Sequence, residues 1–173
     1  IHGDVLKQVI EEIPIRNPVR VVGNIPYNIT SPIIFWLIEQ LDFWDDAYIM
    51  MQKEVGQRLT AKVGTKEYSR LSVVVGVFLH VEMCFKIPPD VFYPKPKVDS
   101  AIIKFSKKKR PLVQDENYVK FNKIVKTAFS KRRKMLRNSL AGFNIPDKIK
   151  DKIDFTRRPE TLSIAEFAKL LLD

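Results

Sequence analysis

The sequence predicts an α/β unit over residues 1–107 followed by a small all-helical domain over residues 108–173. Three features carry this prediction. Strand-like apolar runs alternate with helical ones as far as about residue 106. A proline-punctuated stretch, residues 88–97, separates two of those strands and can be neither a central strand nor a helix. Beyond Lys107 only helical spacing remains. Alternation followed by a helical run is the pattern of an α/β layer with a helical appendage.

In chain order, Val19-Arg20-Val21-Val22-Gly23 reads as a buried strand that stops at a Gly-Asn turn. Ser31 before Pro32 supplies an N-cap and a first helical residue, so a helix is expected from Ile33 to about Leu41. Residues 46–51 read as a second strand and residues 54–61 as a short helix. Residues 69–79 fit a strand by composition and a helix by length. Residues 81–87 and 98–105 read as strands. In the second part, Val119, Phe121, Ile124, Val125, Ala128 and Phe129 recur at helical spacing, and residues 131–140 are expected to continue helical as far as Gly142. Residues 146–153 suggest a short helix. Ser163 opens a last one, with Glu166 completing a capping box.

The 173 residues are 45% hydrophobic and 29% charged, which excludes a disordered or fibrous chain and suffices for a buried core. The longest nearly apolar stretch, Leu71 to Val81, is too short to span a bilayer. The lone Cys84 sits in an apolar run and is expected to be a buried thiol in a reducing compartment. His2 and His80 lack ligand-spaced companions, so no metal site is expected. Ile1 is not an initiator methionine, which suggests that the natural N-terminus lies upstream.

The formal net charge is +10, and it is regional. Residues 104–137 hold thirteen Lys and Arg against Asp115 and Glu116, so this window nets +11 and the other 139 residues net −1. Residues 107–110 alone could be a solvated face. Lys131-Arg132-Arg133-Lys134 followed by Arg137 is different: it is expected on a helix, and arginine pairs with phosphate bidentately. A membrane surface is the competing anion, but this segment lacks the Trp/Phe-rich opposite face of an interfacial helix. The charge therefore points to nucleic acid.

Asn24-Ile25-Pro26-Tyr27 follows the first strand, where open α/β sheets bind ligands. An Asn side-chain carbonyl and a backbone carbonyl beside a stiff proline are acceptors suited to an exocyclic amine. A tyrosine ring offers a stacking face for a base. Taken alone, the four residues read more readily as a plain Asn/Pro turn with a packing tyrosine.

The segment resembles motif IV of amino-methyltransferases that act on nucleic-acid bases, in the Asn-Ile-Pro-Tyr-Asn-Ile form of rRNA adenine N6-methyltransferases. Gly3-Asp4-Val5-Leu6 resembles the family element whose Asp binds the adenine of S-adenosylmethionine. Gln52-Lys53-Glu54-Val55, Tyr68-Ser69-Arg70-Leu71-Ser72 and Phe92-Tyr93-Pro94-Lys95-Pro96-Lys97-Val98-Asp99-Ser100 are similar to further family segments. The stretch from Ala128 to Leu140, with Arg158-Pro159-Glu160-Thr161-Leu162-Ser163, resembles the bacterial small-subunit (16S) rRNA adenine N6,N6-dimethyltransferases. The macrolide-resistance methylases of large-subunit rRNA generally lack that arginine-rich stretch.

The resemblance implies the C-terminal portion of a Rossmann-like S-adenosylmethionine-dependent methyltransferase fold, followed by a small helical RNA-binding domain. It implies dimethylation of two adjacent adenines in small-subunit rRNA and a role in small-subunit biogenesis, by a cytoplasmic monomer with the 30S precursor as partner. Asn24, Pro26, Tyr27 and Phe92 would form the catalytic pocket, and Asp4, Val5 and Asn24 would bind cofactor. Lys95, Lys97, Lys131, Arg132, Arg133, Lys134 and Arg137 would contact RNA. No metal is implied. One departure is large: none of the six glycines forms the family's Gly-x-Gly loop. These residues alone are therefore expected to bind cofactor weakly or not at all and to be inactive. A macrolide-resistance type methylase of large-subunit (23S) rRNA and a non-catalytic RNA-binding or ribosome-assembly factor are the alternatives.

Overall fold

The computed structural model describes residues 2–16 and 18–171. The described chain forms two compact units. The first runs to Thr60 and resumes from Leu79 to Lys108, and the second takes Ala61–Phe78 and the chain from Lys109 onward. A single cut at residue 107, as expected from the sequence, would leave residues 61–78 in the first unit. The structure packs them with the helical one.

In the first unit, strand β1 (Val19–Asn24) leads through helix α1 (Thr30–Glu39) to strand β2 (Trp44–Gln52), which pairs parallel with β1. Helix α2 (Lys53–Leu59) follows directly. Helix α3 (Arg70–Gly76) belongs to the second unit, and the chain returns as strands β3 (Leu79–Ile87) and β4 (Ser100–Lys107). The sheet order is β1-β2-β4-β3, with β4 antiparallel to both neighbours. Ala47, Ile49 and Met51 of β2 and Ala101, Ile103 and Phe105 of β4 alternate onto one face and are fully buried. Helix α2 lies close on that face at Gly56, where a Cβ would fall 2.6 Å from Ile103 Cδ1. Trp36 and Trp44 anchor α1: their indole N–H groups donate to the Gln8 and Leu37 carbonyls, each at 2.8 Å.

Two local expectations change here. Helix α1 begins at Thr30 rather than after Ser31, because residues 27–29 already form a turn of 3₁₀ helix that runs into it. Pro32 is tolerated because N–H groups in a first turn have no intrahelical partner. Cys84 is exposed, not buried. Strand β3 is an edge strand whose alternation turns Cys84 outward with His80 and Glu82, and a register shift between Met83 and Phe85 turns Phe85 out to solvent beside it.

In the second unit the ambiguous residues 69–79 resolve into α3, started by a bond from the Ser69 N–H to the Ser72 hydroxyl at 3.0 Å. At Gly76 a Cβ would fall 2.4 Å from Ile164 Cδ1. Arg70 donates to Asn122 at 2.8 Å, and Phe78 meets Tyr118 edge-on with centroids 5.5 Å apart. These contacts explain why residues 61–78 leave the sheet unit. Helix α4 (Tyr118–Ser130) buries Phe121, Ile124, Val125 and Ala128, whereas Val119 is 77% exposed and outside the core. The helix does not continue to residue 140. It stops at Ser130, residues 131–134 form a turn closed by Lys134 N–H on the Lys131 carbonyl at 2.7 Å, and only helix α5 (Leu136–Ser139) resumes. The Leu136 and Arg137 N–H groups donate to the Arg157 and Phe155 carbonyls at 2.9 and 3.0 Å, so tertiary pairing replaces the helical bonds. Helices α6 (Asp147–Lys150) and α7 (Ile164–Lys169) complete the unit, α7 with the Ser163/Glu166 capping box. Among the described residues no helix is long and apolar enough to cross a membrane.

Candidate active site

Strand β1 ends at Asn24, which pairs in register with Met50 of β2. Pro26 (φ −58°, ψ 135°) keeps the chain extended, and a 3₁₀ turn over Tyr27–Ile29 then feeds α1. The turn is closed by Ile29 N–H on the Pro26 carbonyl at 3.2 Å and supported by the Thr30 hydroxyl on the Tyr27 carbonyl at 3.0 Å. The Tyr27 phenol shares a 2.6 Å hydrogen bond with the hydroxyl of Ser100, which has no exposed surface. That bond fixes the ring from behind, through a residue 73 positions away in sequence.

Phe92 arrives from the connection between β3 and β4. It is half-buried on extended backbone (φ −110°, ψ 146°). With Asn24, Ile25, Pro26 and Tyr27 it lines a cleft of about 370 Å³, completed by Met50, Tyr93, Pro94 and Pro96. The volume lies within the range of small-molecule pockets. Two polar acceptors at a strand end that share a cleft with aromatic residues suit a flat heterocycle bearing an exocyclic amine. The Pro26 carbonyl already accepts from Ile29, while no described backbone N–H donates to the Ile25 carbonyl. Asn24 with Ile25 is thus the better-disposed acceptor pair.

The structure brings Asn24, Pro26, Tyr27 and Phe92 together but leaves other expected site residues elsewhere. Asp4 and Val5 do not line this cleft. Asp4 is exposed and its Oδ1 accepts from the Leu6 N–H at 3.0 Å, capping a 3₁₀ turn over Val5–Lys7. Lys95 is ion-paired with Asp90, and Lys97 is exposed. Lys131, Arg133, Lys134 and Arg137 are exposed in the second unit. Arg132 is tied down there, donating to the Thr65 carbonyl at 3.3 Å with Glu160 4.0 Å away.

Sequence reasoning missed Met50, Tyr93, Pro94 and Pro96 as lining residues and Ser100 as the anchor of Tyr27. Met50 was findable, since it ends the strand parallel to β1 and ligands gather at such ends. The Ser100 bond had no local signal. A second hollow of about 240 Å³ lies at Lys53, Glu54, Gln57 and Asp99, where Lys53 Nζ meets Asp99 Oδ2 at 2.6 Å. On the sheet, Arg20 donates to both Asp46 oxygens at 2.7 and 2.8 Å, which lowers the Asp46 pKa. Among the described residues no group of three or more His, Cys, Asp or Glu could hold a metal ion.

The structure superposes with a TM-score of 0.84 on the crystal structure of a dimethyladenosine transferase from Plasmodium falciparum, 28% identical, covering 99% of this chain and 70% of that one. A 23S rRNA methyltransferase, ErmE, matches at a TM-score of 0.70 and 24% identity, over 99% of this chain and 69% of that one, a likeness of fold. The mixed sheet and the cleft at its strand ends thus define the class, a Rossmann-like methyltransferase fold. In sequence, the chain is 43% identical over 159 residues to the ribosomal RNA small subunit methyltransferase A of Herminiimonas arsenicoxydans, covering 91% of this chain and 62% of that relative. Residues 1–171 match the ribosomal RNA adenine dimethylase family, and the chain belongs to it. It spans about three fifths of the length of the curated relatives it matches.

Proposed function

We propose that this chain works in an S-adenosylmethionine-dependent dimethyltransferase that converts adenines of small-subunit rRNA to N6,N6-dimethyladenine during subunit biogenesis. The observation that carries the reading is the convergence of Asn24, Tyr27 and Phe92, from two segments far apart in sequence, on one cleft of about 370 Å³. The relatives named for small-subunit rRNA support the choice of substrate.

The N6 lone pair of adenine is delocalised into the ring and is a poor nucleophile. Acceptance of its two N–H groups by the Asn24 side-chain oxygen and the Ile25 carbonyl draws the amine toward tetrahedral geometry and frees the lone pair. Tyr27 and Phe92 hold the extruded base between aromatic faces. Much of the acceleration then comes from alignment. Bound S-adenosylmethionine supplies a methyl group on a positively charged sulfur, itself a strong leaving group. For the cofactor's adenine end, Asp4 fits by its chemistry: one carboxylate oxygen caps Leu6, and the other is an acceptor without a partner among the described residues. Val5, 37% exposed, offers an apolar side chain beside it.

In the protein as its gene encodes it, Asn24→Ala is expected to cut methyl incorporation into small-subunit rRNA by 100-fold or more, with RNA affinity changed less than threefold. Unchanged incorporation overturns the role of Asn24. Incorporation into large-subunit rRNA instead overturns the substrate.

A further inference from the structure

We propose that Tyr93, at the rim of the cleft, is a second base-stacking surface that holds the nucleotide beside the one being modified and thereby selects the RNA strand. This rests on the reading of the cleft as an adenine pocket. Tyr93 is 102% exposed, more than any other large hydrophobic side chain among the described residues. A tyrosine left wholly in water gains nothing for the fold of this unit.

Tyr93 borders the cleft that Phe92 lines, yet its full exposure leaves its ring packed against none of the other lining residues. The ring is therefore free to take the nucleotide beside the base that Phe92 covers. Pro94 and Pro96 follow at the rim of the cleft, their rings fixing φ and lowering the conformational freedom of the loop that carries Tyr93. Lys97 adds an exposed cation, whereas Lys95 is engaged by Asp90. A stiffly presented aromatic face with an ammonium close along the chain is the chemistry of a single-strand platform, ring for base and cation for phosphate. Extruding a base also strips its neighbour of a stacking partner. Tyr93 supplies the replacement beside the pocket mouth.

The test uses the protein as its gene encodes it and short pyrimidine RNAs with one central adenine, labelled in one of two ways. 2-Aminopurine replaces the adenine in one set, and a fluorescent cytosine analogue occupies either flanking position in the other. On binding, one flanking label is expected to be quenched. Tyr93→Ala abolishes that quench and weakens binding about 5- to 150-fold, Tyr93→Phe and Tyr93→Trp preserve it, and the central label still responds. The thermal midpoint of Tyr93→Ala stays unchanged, as a fully exposed ring requires. Flanking quench that survives Tyr93→Ala, while Phe92→Ala removes the central response, overturns the role of Tyr93 and spares the pocket. A central label that never responds overturns the pocket reading and this proposal with it.

Discussion

Removing one oxygen atom from Tyr27 tests how the site is held. Tyr27→Phe keeps the ring and deletes the hydroxyl that bonds Ser100 Oγ at 2.6 Å. The two partners differ in what they lose. Ser100 has no exposed surface, so its hydroxyl is left buried without a partner, which costs about 1–3 kcal/mol. Ser100→Ala instead strands the phenol of a half-buried tyrosine, which water can reach, and only the net worth of one hydrogen bond is lost, about 0.5–1.5 kcal/mol. Tyr27→Phe is therefore expected to destabilise more than Ser100→Ala, and in the Ser100→Ala background its own cost should fall close to zero. Urea unfolding of the four proteins closes the cycle, with a coupling of about 1 kcal/mol or more. Methyl transfer should follow the same pattern if the bond orients the ring, falling in both single variants with little further loss in the double. Effects that add to within about 0.5 kcal/mol would mean that the two hydroxyls act independently. The account of Tyr27 as a ring fixed from behind would then be wrong.

Two further outcomes follow from the second unit. Partial burial works to raise the Glu166 pKa, but hydrogen bonds from Arg157 at 2.5 Å and from Ser163 outweigh it and hold the pKa at about 2, against an ordinary 4.5. A folded-state pKa below the unfolded one stabilises above the unfolded value and is lost as pH falls through the folded one, so this contribution is present above about pH 4.5 and disappears toward pH 2. Discounted for solvent access it is worth about 1–2 kcal/mol, and Glu166→Gln should flatten acid unfolding over that window when followed by circular dichroism. For RNA, replacing Lys131, Arg133, Lys134 and Arg137 together by Ala should reduce the slope of log affinity against log salt by about 3, from roughly 0.7–0.9 per phosphate contact. An unchanged slope places the RNA elsewhere on the protein.

What could be read from the sequence divides by the range of the interaction responsible. The capping box of Ser163 and Glu166 and the buried positions 121, 124, 125 and 128 are written in local spacing, and the structure shows both arrangements; the run from Asn24 to Tyr27 is equally local, and the structure places it along one cleft at the end of β1. The helical period of residues 118–130 was equally local, yet it gave no warning that the chain would break at Lys131. The break depends on carbonyls of Phe155 and Arg157, over fifteen residues away. Residues 61–78 group with the second unit for a similar reason: nothing in their composition marks Ile164 as the partner of Gly76 or Asn122 as that of Arg70. The apolar run around Cys84 does not mark burial, because on this edge strand the alternation turns Cys84 outward with His80 and Glu82, and the register shift turns Phe85 out beside it.

The placement of Phe92 shows how a flexible-looking connection becomes part of a rigid site. The connection between β3 and β4 occupies residues 88–99, far longer than the two to five residues of most hairpins. Its far end is pinned where β2 passes into α2: the Lys53 N–H donates to the Asp99 carbonyl at 2.9 Å, and Lys53 Nζ meets the Asp99 carboxylate at 2.6 Å. Those side chains are about a third exposed, at 31% and 40%, so the ion pair contributes at most about 1 kcal/mol. The backbone bond, the sheet pairing that begins at Ser100 and the hydroxyl of Ser100 on Tyr27 therefore carry most of the anchoring. One residue, Ser100, thus begins the strand that fixes the Phe92 loop and bonds Tyr27, which lines the same cleft. Two lining residues from distant segments are referred to a single buried position. That is why we expect substitutions at Ser100 to be felt in catalysis, although its side chain does not line the cleft.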